Sequence, residues 1–223
     1  MRKLTAALAL VMLVGTQSVF AKDFADVPQT HWAYGSISLF ADRGVINGYE
    51  DGSFRPENPV TRGEWAKMMC DGFGIREAGA FEMWRFYSEA EDVSESDWSA
   101  PYIAAVSPYL THMIDDYGRC YYFPNEGATR EEVAGSLVRV LGLETGDSGA
   151  YLAQYSDSGE ISGFERQYIN SAIKHGLISG YEDGTLRPGR EVTRAEAACL
   201  MQRTISKSFT MQPHSNVKYS YVR

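Results

Sequence analysis

Apolar residues recur at helical spacing in three separated windows. Trp65, Met68, Met69 and Phe73 form one stripe. Val133, Leu137, Val138 and Leu141 form a second, and Ala197, Leu200, Met201 and Ile205 a third. Steps of three and four place each set on one face of a helix. They predict helices from Arg62 to about Phe73, from Arg130 to Leu141 and from Arg194 to Ile205. Upstream of each, an aromatic residue opens another periodic run: Trp32 to Arg43, Trp98 to Met113, and Phe164 to His175. Gly44 and Gly176 follow two of these runs and suit left-handed C-terminal caps. Pro101 is tolerable in the first turn of the middle run, whereas Pro108 should kink or break it. Ile75 to Glu89 carries Phe81, Met83, Trp84, Phe86 and Tyr87. So much aromatic surface is expected to pack, partly as helix. Leu143 to Ser158 is richer in Gly, Ser and Asp and reads as a looser connection anchored at Tyr151-Leu152. The stripes themselves are core, as are Trp32 and Trp98 by the same reading.

Each of the three downstream helices opens on the same motif: Thr61-Arg62-Gly63-Glu64, Thr129-Arg130-Glu131-Glu132 and Thr193-Arg194-Ala195-Glu196, about 65 residues apart. A repeat of that period predicts stacked similar units. Val45 to Pro56 precedes the first motif and Leu177 to Pro188 precedes the third, aligning without a gap through Asn47-Gly48-Tyr49-Glu50-Asp51-Gly52 and Ser179-Gly180-Tyr181-Glu182-Asp183-Gly184. The middle counterpart, Met113 to Pro124, keeps the Ile, the Tyr and the Pro. It places Asp115-Asp116-Tyr117 where the others have the Gly-Tyr turn. Phe24-Ala25-Asp26-Val27, Glu91-Asp92-Val93 and Tyr155-Ser156-Asp157 open the units.

These residues resemble the S-layer homology (SLH) repeat, whose pattern runs Phe-x-Asp-Val, Trp-Ala, Gly-x-Ile-x-Gly-Tyr, Asp-Gly-x-Phe-x-Pro, Thr-Arg-x-Glu. The likeness covers nearly all of the chain after the leader and is weakest in the middle loop. It implies an all-α fold: three helix-loop-helix repeats packed as a pseudo-threefold bundle with grooves between them. The expected organisation is a signal peptide at 1–21, repeats at 22–74, 75–142 and 143–206, and a tail at 207–223. The resemblance also implies a secreted module that binds a pyruvylated secondary cell-wall polymer, or another peptidoglycan-linked glycan.

The start of the chain agrees with secretion. Arg2 and Lys3 precede an apolar stretch, Leu4 to Val14, too short to span a bilayer, and Val19-Phe20-Ala21 offers a cleavage site. No other segment is apolar enough to cross a membrane. Without Arg2 and Lys3 the chain keeps 19 basic against 29 acidic residues, near −10. This argues against non-specific nucleic-acid binding. It also means that an anionic polymer must be met by local cationic sites rather than by the overall field. The three cysteines, Cys70, Cys120 and Cys199, do not form a disulfide framework, and no metal or cofactor is expected. Glu50-Asp51-Gly52 and Glu182-Asp183-Gly184 have too few ligands for calcium and read as turns.

Thr61 with Glu64, Thr129 with Glu132 and Thr193 with Glu196 have the spacing of helix capping boxes. Arg62, Arg130 and Arg194 gain nothing from the cap and sit at the positive end of the helix dipole. With the dipole they could grip an incoming carboxylate, such as a pyruvate ketal, by two parallel bonds. The alternative is a structural ion pair with a loop carboxylate such as Asp51 or Asp183. Gly48 and Gly180 could let a ligand approach the backbone, and Tyr49 and Tyr181 could face a sugar ring; a simple turn with a core tyrosine explains them as well. In the middle unit, Asp115-Asp116 should weaken any groove built on that loop. No acid pair or histidine set recurs, so a wall hydrolase is the weakest reading. Between it and non-catalytic carbohydrate binding stands an envelope adaptor that recruits a secreted partner or self-assembles; that reading requires Phe81 and Trp84 to be exposed.

Overall fold

The computed structural model describes residues 23–146 and 149–208. The proposed signal peptide, 1–21, and most of the tail lie outside the described residues. The architecture is mostly helical: α1 (Tyr34–Asp42), α2 (Arg62–Phe73), α3 (Ala80–Tyr87), α4 (Ala100–Val106), α5 (Arg130–Leu141), α6 (Arg166–Lys174) and α7 (Arg194–Ser208). A small antiparallel hairpin, β1 (Met113–Ile114) and β2 (Cys120–Tyr121), lies between α4 and α5. No helix among the described residues is long and apolar enough to cross a membrane.

Both ends of α2 and α5 have local causes. Thr61 accepts from the Glu64 amide at 3.1 Å while the Glu64 carboxylate accepts from the Thr61 amide at 2.9 Å. Thr129 and Glu132 repeat the arrangement, as do Thr193 and Glu196 at the start of α7. Each such cap contributes about 1 kcal/mol. α2 and α5 stop at Gly74 and Gly142, which adopt φ of 66° and 61°, a left-handed conformation that costs other residues more.

The main helix pairs join elements far apart along the chain. α2 packs on α4, α5 on α6, and α7 returns to α1. Each motif helix thus packs against the first helix of the next unit, and the last closes on the first. The shared core holds Trp65, Met69, Leu137, Ile169 and Met201, all 2% exposed or less. The Trp65 indole donates to the Ser136 hydroxyl at 2.9 Å, so its one polar atom is satisfied inside.

At the centre, residues just before the motifs close a circuit of backbone hydrogen bonds. The Val60 amide donates to Val192, the Val192 amide to Ala128, and the Ala128 amide to Val60, each at 2.9 Å. Isolated bridges flank it: Thr61 with Gly127, Thr129 with Glu191, and Thr193 with Pro59. The next amides also cross between units. Arg62 donates to the Glu126 carbonyl, Arg130 to Arg190 and Arg194 to Asn58, at 2.8–2.9 Å. Gly63, Glu131 and Ala195 donate to Pro124, Pro188 and Pro56. With the threonine caps, this satisfies the first three amides of each motif helix, which otherwise have no partner within the helix.

Several expectations are corrected. The middle run ends as α-helix at Val106, passes through a short 3-10 turn at Ser107–Tyr109, and reaches Met113 as strand. Pro108 lacks an amide proton and its ring clashes with the preceding turn, so the helix stops rather than bends. Ile75 to Glu89 is partly helical, yet Phe81 and Trp84 are 74% and 71% exposed. Only Phe86 reaches the core fully. Trp32 and Trp98 lie on the surface, 62% and 54% exposed, as does Phe164 in the corresponding position. Each stands two residues before the first residue of its helix, outside the face that the helix turns inward.

Candidate functional site

The motif arginines reach across unit boundaries. Arg194 donates from Nε to the Phe54 carbonyl at 3.0 Å, from Nη2 to the Asn47 carbonyl at 2.7 Å, and from Nη1 to the Glu64 carboxylate at 3.0 Å. Arg62 repeats the pattern in the next unit, donating to the Tyr122 carbonyl at 2.6 Å, the Thr111 carbonyl and the Glu132 carboxylate. Arg130 donates to the Ser179 carbonyl at 2.6 Å. Its expected carboxylate, Glu196, is instead paired with Arg190, and the Arg130 Nε is buried without a partner. Burial pulls the Arg130 guanidinium below its ordinary pKa. Asp51 and Asp183 are not the partners of the motif arginines. They pair with Arg55 at 2.9 Å and Arg187 at 2.8 Å inside their own turns. The pairing with the capping glutamate of the next motif gives that carboxylate two tasks: one oxygen accepts from the cap amide and the other from the arginine.

The loops that receive these arginines are held by the aspartates that open the units. Asp26 accepts from the amides of Phe54 and Arg55 at 2.8 and 2.6 Å. Asp92 takes those of Tyr122 and Phe123, and Asp157 those of Leu186 and Arg187. In each case the second residue has a left-handed backbone and stands directly before a proline: Arg55 at φ 57°, Phe123 at 51° and Arg187 at 53°. Such conformations are costly for non-glycine residues and persist only when overdetermined. The paired amide bonds supply that constraint. Partial burial opposes ionisation of Asp26, but the two amides win and lower its pKa.

Gly48 and Gly180 pack against the chain itself. A Cβ on Gly48 would run into the Phe24 ring and lie 2.7 Å from the Ser53 carbonyl oxygen. On Gly180 it would meet the Tyr155 ring and the Thr185 carbonyl. Tyr49 has two guanidinium groups over its ring, Arg55 at 3.9 Å and Arg194 at 5.1 Å from the centroid. Tyr181 has Arg187 at 4.1 Å and Arg130 at 5.0 Å, and its hydroxyl accepts from Arg190 at 2.7 Å. In the middle loop the register differs from the ungapped alignment. Thr111, not Asp115, offers the carbonyl that corresponds to Asn47 and Ser179. Asp115 holds its own turn, pairing with Arg119 at 2.7 Å. Some burial works against it, but the Arg119 and Tyr117 bonds bring its pKa down to about 2.

The three arginine junctions differ in room. At Arg194, between the last and first motifs, a cleft of about 170 Å³ opens, lined by Asn47, Phe54, Glu64, Lys67 and Trp98. The spaces at Arg62 and Arg130 hold only about 10 Å³ each. Arg194 is nearly buried, whereas Lys67 is partly exposed and paired with Asp71 one turn along the same helix. Exposed pairs of that kind are worth about 0.3–0.5 kcal/mol, so the ammonium can leave Asp71 at little cost. Trp98 stands exposed at the mouth, with its ring 6.3 Å from that of Tyr102. The wall therefore offers two cations, one carboxylate already committed to a cap, and an aromatic face. Lys67 and Trp98 are invisible in the motif: one is a lone lysine on a helix, and the other belongs to a different unit.

A second buried pair ties α5 to the start of α6. Arg139 donates to Glu165 at 2.7 Å, and the Thr111 hydroxyl donates to the same oxygen. Glu165 is fully buried and its other oxygen has no partner; burial raises its pKa despite both bonds. Because Thr111 also receives Arg62, this pair helps to hold the carbonyl that the arginine needs. Cys70, Cys120 and Cys199 are all free thiols.

Residues 23–66 and 154–198 match the S-layer homology domain family. The chain is 28% identical to an amylopullulanase of Thermoanaerobacterium thermosulfurigenes over 191 residues, 85% of this chain and 10% of that protein. It is 28% identical to the exoglucanase XynX of Acetivibrio thermocellus over 209 residues, 92% of this chain and 18% of that protein. The S-layer protein sap of Bacillus anthracis is also 28% identical over 204 residues, 90% of this chain and 24% of that protein. The chain thus spans about a tenth to a quarter of the length of these relatives. One matched stretch supplies Asn47, Phe54 and Glu64 to the cleft and the other supplies Arg194, so the two parts of the chain that are similar to the S-layer homology domain meet at one site.

Proposed function

We propose that this chain is a non-catalytic module of the bacterial cell surface that holds an acidic, pyruvylated wall polysaccharide in the cleft at Arg194. In this reading three S-layer homology repeats, 22–74, 75–142 and 143–206, stand around an approximate threefold axis marked by the hydrogen-bond circuit of Val60, Ala128 and Val192. The S-layer relatives support a location at the cell wall. The observation that carries the reading is the cleft itself. The two family-matched stretches meet there, and they meet around a cation in a chain whose overall charge is negative.

In this reading the residues have unequal tasks. Arg194 spends three donor atoms on Phe54, Asn47 and Glu64, so its main work is to shape the cleft and present one fixed positive edge. Lys67 is the mobile cation that closes on the sugar carboxylate. Trp98 covers the apolar face of the ring. Tyr49 and Gly48 support the wall from behind. Arg62 and Arg130 close junctions too tight for a sugar, so one site per molecule carries the binding. Co-sedimentation with native and chemically depyruvylated wall, at two salt concentrations, tests this. Binding to native wall alone, weakening with salt, is expected; equal binding to both walls would refute it.

A second reading has one observation in its favour. The exposure of Phe81 and Trp84 is what an envelope adaptor or self-assembling protein needs.

A further inference from the structure

We infer that the outer face of α3 is a second glycan platform, specific for uncharged sugar rings and independent of the acidic site at Arg194. α3 is fixed from within by Phe86, which is 7% exposed and lies 5.2 Å from the Tyr122 ring. The Ala78 amide ties the approach to α3 onto the Pro101 carbonyl at 3.1 Å, and Ala90 donates to Phe86 at 2.8 Å at its far end. A rigid helix therefore presents Phe81 and Trp84 one turn apart. Their ring centroids are 6.4 Å apart and their planes differ by 31°, and both rings are largely open to solvent.

The chemistry around the rings selects the partner. Arg76 is paired with Glu82 at 2.7 Å and Arg85 with Glu89 at 3.7 Å. The flanking charges cancel in pairs, which leaves no net field to attract an acidic polymer. They do leave hydrogen-bonding edges on both sides of an apolar strip. At these exposures the two rings offer roughly 300 Å² together. A stable protein interface needs about 800 Å² on each side. The strip is too small for a second copy of this chain and well sized for one or two sugar rings. These stack their C–H faces on aromatics and turn their hydroxyls to the rim. α3 also lies outside both family-matched stretches.

The test uses the whole protein and chitotetraose, an uncharged oligosaccharide, in affinity electrophoresis, with sedimentation velocity run in parallel. Binding by the wild type is expected to weaken at least about tenfold in the Phe81→Ala/Trp84→Ala double variant, and less in Trp84→Phe, which keeps a ring. Lys67→Met should leave it unchanged, which separates this site from the acidic one: either can fail without the other. Absence of chitotetraose binding, or binding that the double variant retains, overturns the inference. So does a wild-type dimer that the double variant dissolves, since that would make the strip a protein interface.

Discussion

Arg194 and Glu64 join the last motif to the first: the guanidinium donates to the carboxylate at 3.0 Å across 130 residues of sequence. The same carboxylate completes the cap of α2, so one side chain links a helix start to the closure of the whole chain. Arg194→Ala should cost about 3 kcal/mol, at the low end for a broken buried pair because Glu64 is partly exposed. Arg55→Ala, which loses exposed contacts with Asp51, Ser53 and the Tyr49 ring, should cost about 1 kcal/mol or less. Urea unfolding of both variants measures the contrast, and equal losses would show that closure is carried elsewhere.

Gly48→Ala and Gly180→Ala distinguish a packing role from a ligand role. An added methyl group collides with the Phe24 ring in one case and the Tyr155 ring in the other. Both variants should lose about 1–3 kcal/mol of stability, as overpacked interiors do. Unchanged stability with lost wall binding would instead mean that these glycines make room for sugar.

The thiols should be inert. Burial pushes Cys70 up to about 12 and also raises Cys120 and Cys199. Ellman titration at pH 8 should therefore be slow on the folded protein and should reach all three thiols in denaturant. Fast labelling without denaturant would mean that the core opens readily.

Acid should loosen the loops before it unfolds the helices. The Thr185 hydroxyl and Arg187 bring the Asp183 pKa down to about 2, and Asp115 reaches about 2 against some burial. Ser53 and Arg55 likewise depress Asp51. A depressed carboxylate contributes fully above its ordinary pKa near 4, and that contribution fades as pH falls toward the folded value. Asp183→Asn should thus destabilise at pH 6 and make little difference below about pH 2. Thermal melts across that range check the sign. A variant effect that grows with acid would contradict it.

The elements were legible where the local chemistry is complete. α2 and α5 run between the residues expected for them because a capping box starts each and a glycine ends each. Pro108 announced the break in the middle helix but not the hairpin beyond it, whose register depends on pairing across Cys120. Periodicity gave each stripe but not its partner, so the exchange of helices between units, α2 on α4 and α7 on α1, could not be read. Trp32 and Trp98 were assigned to the core on residue type alone. Their position ahead of the helix, where no neighbour covers them, decided otherwise. The motif arginines were legible as an unusual cation at a helix start. Their partners were not, since a carboxylate 130 residues away has no sequence signal. The sequence does carry a signal for the loops: Asp26, Asp92 and Asp157 stand 30 to 32 residues before Pro56, Pro124 and Pro188, a spacing that fits an aspartate holding each loop.

The cleft can be tested without disturbing the closure. Lys67 touches Asp71 on its own helix and the Tyr102 ring of α4 at 5.2 Å, and neither contact belongs to the Arg194–Glu64 closure, so Lys67→Met, which keeps the apolar stem, should keep the fold while removing the mobile cation. Calorimetric titration of a pyruvate-ketal monosaccharide into wild type and Lys67→Met is the most direct measurement. Binding by the wild type that falls at least about tenfold in the variant, with no binding of the depyruvylated sugar, is the predicted result. Equal affinity in both proteins, or equal affinity for both sugars, would contradict it.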